Sequence, residues 1–403
     1  MKIAAIITEY NPFHNGHEYQ IKKTRELLGD DTAVIAIMSG NFIQRGGVAI
    51  TDKLTRATAA LECGVNLILE LPFPYSMSSA EFFAKAGVHI AQRLGIVDYL
   101  VFGSECGDIS VLEKIAQNMS SEKFSSRLAE ATDISQDVGY PTLCELVYKE
   151  LFGEELKSEF FSPNNILALE YLKALKSEQS TITPITIRRE GGAYDAPIES
   201  HTTLQSASAI RDLIYDNSNS AYDFVPENAK SVYINAESNG KFPTFPEKLD
   251  AAIISSFRLN PPKLRGEIHD AEGGLYNRLY SASMTESTIS SLIAKTETKK
   301  FTRARIRRAI WYSFLGVTSS DVRALPEYTQ VLAMDDIGRT LLKRIKKMSD
   351  FPVITKPSSY KEHSESVISQ KELSNRADAV FDLTLKCSNS AKDALTFTPY
   401  VKK

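Results

Sequence analysis

Between Lys2 and Glu105 the chain alternates short apolar runs with stretches of helical spacing, and no other feature constrains its fold as strongly. "KIAAII" (Lys2–Ile7) is an apolar run bounded by turn residues, the pattern of a strand buried on both faces. "HEYQIKKTRELLG" follows with helical spacing and stops at Gly29. "TAVIAIMSG" (Thr32–Gly40) predicts a second buried strand, and "TDKLTRATAALECG" (Thr51–Gly64) a helix capped by Thr51 or Asp52 and closed by Gly64. "VNLILELPF" and "VDYLVFGSE" predict a third and a fourth strand, with a helix over "SAEFFAKAGVHIAQRLG" between them. Such alternation requires crossover connections, hence an α/β fold with a doubly wound parallel sheet. Ligands of these sheets sit beyond the carboxyl ends of the strands, where Thr8–His17, Ser39–Asn41 and Gly103–Glu105 fall.

From Asp108 to Ser180 the pattern is mostly helical, "TITPITIRRE" (Thr181–Glu190) predicts another strand, and "SASAIRDLIYD" (Ser206–Asp216) opens a helix with serines at its start. After Asn217–Ser220 the composition is helical, punctuated by Pro226, Pro243, Pro246, Pro261 and Pro262. A boundary is expected near Asp216, dividing an α/β domain over residues 1–216 from a mainly helical one over 217–403. With 403 residues and 43% hydrophobic composition the chain can fill the cores of two or three domains. Its net charge of -3 confines any affinity for nucleic acid to a local basic patch. The four cysteines form no Cys-x-x-Cys pair and have no histidine at ligand spacing, so no metal site is expected and a reducing cytoplasm is. The N-terminus lacks a leader pattern and no stretch reaches 18 apolar residues, so a cytoplasmic protein with no membrane association is expected.

In "NPFHNGH", Asn11-Pro12 makes a turn, Gly16 lets the backbone approach a ligand, and His14 and His17 would face one space from a helix N-terminus. Free backbone N–H groups and imidazole donors there suit an anion, although two histidines at a helix start also serve as plain caps. "SASAIR" offers hydroxyl and backbone donors at a second helix start, with Arg211 one turn in. A His-x-Gly-His after the first strand and a Ser-x-Ser-x-Ile-Arg after the last resemble the paired signatures of the HIGH nucleotidyltransferases. "ITEYNPFHNGHEYQI", "MSGNFIQRG", "DKLTRATAALECGVNLILELPFPYS", "LVFGSE", "SPNNILALEYLKAL" and "SASAIR", in that order over about the first 215 residues, resemble the tRNA(Met) cytidine acetate ligase family.

That resemblance implies a Rossmann-like sheet of nucleotidyltransferase type. It further implies an enzyme that makes acetyl-adenylate from acetate and ATP, with Mg²⁺ alongside, and acetylates N4 of the wobble cytidine of elongator tRNA(Met). It assigns the ATP loop to Ile7, Thr8, Glu9, Tyr10, Asn11, Pro12, Phe13, His14, Asn15, Gly16, His17, Glu18, Tyr19 and Gln20, with the two histidines on the phosphates. Gly103 would bring backbone against the nucleotide, "SPNN" contributes Asn164 or Asn165, and "IRRE" contributes Arg188 and Arg189. His14, His17, Ser208 and Arg211 carry the catalytic role. Members of the family often have Asp where Asn165 stands and His where Asp195 stands. No obligate protein partner is implied.

Acyl adenylation suits these residue types, because acetate is already a nucleophile at neutral pH. The protein needs to align it with the α-phosphorus and stabilise charge on the phosphate oxygens, so the lack of an evident Ser-His-Asp or Cys-His set is in keeping. "KTETKKFTRARIRRAIWY" (Lys295–Tyr312) is a candidate RNA contact, with Lys299, Lys300, Arg303, Arg305, Arg307 and Arg308 interleaved with Phe301, Trp311 and Tyr312. "RTLLKRIKKM" (Arg339–Met348) is a second basic helix with Leu341, Leu342, Ile345 and Met348 on its apolar side. Two other readings stay open at this level: a small-molecule adenylyl- or cytidylyltransferase, and a non-catalytic nucleotide- or RNA-binding protein.

Overall fold

A computed structural model describes residues 1–134, 138, 140–153, 158–189, 204–264, 266–388 and 396–402. The apolar runs form the centre of one sheet: β1 (Ile3–Thr8), β2 (Ala33–Ser39), β3 (Leu67–Leu71), β4 (Tyr99–Ser104) and β5 (Thr183–Arg188). Their order is β3-β2-β1-β4-β5 and every pairing is parallel, with Ile3 opposite Ala33 and Ala4 opposite Tyr99. β1, β2 and β3 are buried at every position because both faces are covered, whereas the edge strand β5 is largely part-exposed. Ile3, Ala5 and Ile7 enter one core with Phe83, Leu112 and Leu169, whereas Ala4 and Ile6 enter another with Ile21, Ala57 and Tyr233.

The helices begin close to where the caps predict. Helix α1 (Asn15–Leu28) ends at Gly29 with φ 113°, and α2 (Lys53–Glu62) is capped by Asp52, whose carboxylate accepts from the Leu54 and Thr55 N–H groups. Thr51 instead donates to the Lys241 carbonyl, 2.7 Å away. The 14-residue α3 (Ala80–Arg93) crosses back beneath the sheet, and α4 (Pro163–Ser177) packs against it. Among the described residues no helix is long and apolar enough to cross a membrane.

The segment after Asp216 is mostly helical, yet it also returns three strands to the same sheet. β6 (Thr329–Met334) pairs antiparallel with β3, and β7 (Val353–Ile354) and β8 (Tyr400–Val401) pair parallel with β6. The helical expectation missed β6 because "TQVLAM" is short and flanked by helical sequence. A short hairpin, Phe42–Ile43 with Gly47–Val48, was likewise not foreseen.

A buried ion cluster fastens the C-terminal helix α5 (Glu365–Asp382) to this sheet. Lys53 Nζ lies 2.6 Å from both Glu70 and Asp378, all three side chains at most 5% exposed. Burial alone would lower the Lys53 pKa, but Asp378 and Glu70 outweigh it and hold it raised. Lys371, 2% exposed, faces the same cluster, and burial followed by repulsion from Lys53 pushes its ammonium down to about 8. Its ordinary value is 10.5, so between these limits the unfolded chain binds the extra proton and stability rises with pH. Lys371→Met is therefore expected to raise the urea midpoint at pH 7, and this gain over the parent should vanish as pH approaches 10. A gain independent of pH would place the lysine outside that titration.

Candidate active site

A cavity of about 230 Å³ opens at the carboxyl ends of β1, β4 and β5, the position expected for a parallel sheet. The Asn11–Pro12 peptide is cis and Tyr10 has φ 47°, so the chain leaving β1 turns sharply into α1. Tyr10 and Phe13 are buried beneath the His17 ring, with centroids 4.9 Å and 5.5 Å from it. The Phe13 N–H donates to the Tyr233 hydroxyl at 2.7 Å, and Asn11 Oδ1 accepts from the Ile50 N–H at 2.7 Å. Arg56, fully buried, donates to the carbonyls of Glu9, Ser39, Gly40 and Thr51 and so ties the ends of β1 and β2 together.

His14 is the N-cap of α1. Its Nδ1 accepts from the Gly16 N–H at 3.0 Å, while its own N–H donates to His17 Nδ1 at 3.2 Å. A Cβ on Gly16 would lie 2.8 Å from the His14 ring, which explains the glycine between the histidines. Both Nδ1 atoms act as acceptors, which assigns the remaining proton of each neutral ring to Nε2. The ring centroids lie 3.9 Å apart with their planes tilted by 38°. Burial, then Arg189 and Arg211, pushes His14 down to about 3. Burial, then His14 and Arg189, holds His17 well below its ordinary range. The capping reading and the ligand reading are thus compatible: one nitrogen caps and the other is left to donate.

Among the described residues, four arginines, Arg45, Arg188, Arg189 and Arg211, line the cavity against one carboxylate, Glu9. Arg211 Nη1 donates to the Asn11 carbonyl at 2.8 Å, which joins the second helix start to the first loop. Arg189 Nη1 donates to Asn164 Oδ1 at 3.0 Å, and Asn164 donates to Glu105 at 2.6 Å. Asn165 is fully buried and accepts from the Glu105 and Cys106 N–H groups, so Asn164 faces the cavity and its neighbour latches the loop. Gly103 lines the cavity, and a Cβ there would lie 3.2 Å from Arg189 Cγ.

Of the expected loop, Ile7, Thr8, Glu9, His14, Gly16, His17, Tyr19 and Gln20 line the cavity, whereas Tyr10, Asn11, Pro12, Phe13, Asn15 and Glu18 do not. In the second motif Ser206 and Ala207 line it, and Ser208 does not. Ser206 is the N-cap of the helix Ala207–Tyr215 and accepts from the Ala209 N–H, with Ser208 Oγ 3.2 Å from its hydroxyl. Asp195 and Glu190 lie outside the described residues. Gln44, Arg45 and Tyr171 also line the site and were not singled out; "MSGNFIQRG" was the available signal for the first two. The Tyr171 hydroxyl is buried and has no hydrogen-bond partner among the described residues, at the apolar end formed with Ile7, Phe83, Phe102 and Leu167.

The basic stretch divides. Lys299, Lys300, Arg303 and Arg307 are exposed, with Arg303 paired to Glu297 at 2.9 Å. Arg305 donates to the Asp270 and Glu272 carbonyls, and Arg308 is 9% exposed and 2.5 Å from Asp270, so both hold the fold together. The helix Asp336–Met348 buries Leu341 and Ile345, but its Met348 is 64% exposed rather than on the apolar side. Its Arg344 lines a surface cleft together with Lys2 and Asp98, at the opposite end of the strands from the site. No cluster of His, Cys, Asp and Glu among the described residues could hold a metal ion. Among the described residues that line the cavity, Glu9 alone carries a carboxylate.

Sheet order and a cavity of arginines and imidazoles at the strand ends match a nucleotidyltransferase fold. The HIGH Nucleotidyl Transferase family model matches residues 1–395. The chain is 36% identical to the tRNA(Met) cytidine acetate ligase of Acetivibrio thermocellus over 92% of both chains. It is also 36% identical to that of a Thermoanaerobacter species over 97% of both. It superposes on Thermotoga maritima TmcAL bound with alpha-thio ATP with a TM-score of 0.91 at 28% identity, covering 100% of this chain and 99% of that one. The ligand-free form of the same protein gives 0.93. The chain belongs to the tRNA(Met) cytidine acetate ligase family.

Proposed function

We propose that the protein activates acetate with ATP to acetyl-adenylate and transfers the acetyl group to N4 of the wobble cytidine of elongator tRNA(Met), in the cytoplasm. The observation that carries this reading is the convergence of four arginines and two neutral imidazoles on one cavity at the strand ends. Such donors stabilise charge on phosphate oxygens as acetate oxygen attacks the α-phosphorus and pyrophosphate leaves. Neutral histidines donate from Nε2 without needing to lose a proton, so no strong base is required. The apolar end beside Phe102 and Tyr171 suits the adenine ring. Mg²⁺ enters as the counterion of ATP.

The test is incubation with ATP, Mg²⁺, labelled acetate and bulk bacterial tRNA, followed by nucleoside analysis. Label in N4-acetylcytidine is the expected result. No acetate-dependent pyrophosphate at all would overturn the reading and favour a small-molecule nucleotidyltransferase. The exposed cations supply a further expectation. Lys299→Glu, Lys300→Glu and Arg303→Glu together should weaken tRNA binding and reduce its log–log salt slope by about 2–3. An unchanged slope would remove this face from the RNA contact.

A further inference from the structure

A second cavity, of about 310 Å³, adjoins the first, and Glu9, Arg45 and Arg211 line both. Its other walls come from the C-terminal half of the chain. Arg307 and Trp311 are four residues apart on the helix Arg303–Leu315, hence on one face. Trp311 is held edge-on to Phe42 with centroids 5.3 Å apart, and Ser290, Glu247 and Asp250 stand among the remaining lining groups. The hairpin between the cavities is pressed onto that helix, since a Cβ on Gly46 would lie 2.5 Å from the Arg308 nitrogen.

We propose that this second cavity receives a single pyrimidine nucleotide, turned out of its RNA loop, with its exocyclic amine at the opening shared with the nucleotide site. The proposal rests on the acetate-ligase reading above. The volume lies at the lower end of the range for small-ligand sites and fits one base rather than a paired helix. Trp311, 3% exposed and packed on Phe42, closes the inner wall, an exposed arginine suits the adjoining phosphate, and carboxylates accept from a cytosine amine. In the transfer the amine nitrogen bonds to the acetyl carbonyl carbon, the bond from that carbon to the phosphate oxygen breaks, and AMP leaves. The surplus proton on nitrogen passes to Glu9, the carboxylate common to both cavities.

Trp311 is the chain's only tryptophan, so intrinsic fluorescence reports on the cavity. Titration with an anticodon stem-loop carrying cytidine at the wobble position should give a saturable change, at least about tenfold tighter than with uridine there. Equal responses to both loops, or none, overturn the proposal. Ser290→Phe, an exposed wall position, should abolish the response and slow acetyl transfer to tRNA at least ~10²-fold, while acetate-dependent pyrophosphate exchange persists. Transfer at the parental rate in this variant overturns the subsite and leaves the ligase reading standing. Loss of exchange along with transfer also overturns it, by showing that the wall serves the first step or the fold. Absence of exchange in the parent protein is the separate failure of the ligase reading itself.

Discussion

His17→Ala is expected to lower acetate-dependent ATP–pyrophosphate exchange at least ~10²-fold, the usual cost of removing one preorganised donor to a charged transition state. The ring stands at the cavity with Nδ1 committed to the His14 N–H, so the lost function is donation from Nε2. Folding should be retained, because the deleted contacts are one hydrogen bond, worth about 1 kcal/mol, and ring packing on Tyr10, Phe13 and His14 at a partly exposed helix start. His14→Ala differs, since it also removes the cap on the Gly16 N–H, at about 0.5–2 kcal/mol. Exchange rates read beside urea midpoints separate the two effects. Undiminished exchange in His17→Ala would show that the loop does not hold the phosphates. Because His14 is pushed down to about 3 and His17 is held well below its ordinary range, no acid limb near pH 6.5 is expected from them in exchange measured at low ATP.

The largest expected loss of stability follows from Lys53→Met. It leaves Glu70 and Asp378 buried without their shared ammonium, and breaking a buried pair costs about 3–5 kcal/mol. The pH dependence has a definite sign. Buried carboxylates left without a counter-charge are costly only while ionised, so the penalty is small in acid and grows as pH rises toward neutrality. Urea midpoints of parent and variant between pH 4 and 8 test this directly. A cost that stays constant with pH would mean that lost packing, not unpaired charge, accounts for it.

The central strands, α1 to α3 and the Ser206 cap were legible because each is governed by local signals: apolar runs closed by turns, Asp or Ser before a helical stretch, glycine after it. The site was legible as motifs but not as a lining. "NPFHNGH" marks the right loop, yet only coordinates show Tyr10 and Phe13 folded beneath His17 while His14 and His17 share one space. Ser208 and Ser206 are equivalent as hydroxyls in the sequence, and the helix start turns Ser206 rather than Ser208 to the cavity. Likewise, a run of arginines reads as one basic patch, and only the fold shows that Arg305 and Arg308 are held by the Asp270 and Glu272 loop.

By itself the sequence determined the parallel core of the sheet, the loop after β1 and the family, since these rest on periodicity, capping and contiguous motifs whose physics acts over a few residues. Tertiary structure decided the rest: β6 beside β3, Lys53 against Asp378 across 325 positions, and Arg45 and Trp311 at adjoining cavities. Those contacts depend on how distant segments pack, and a side chain's burial and partners are properties of that packing rather than of its neighbours in the chain.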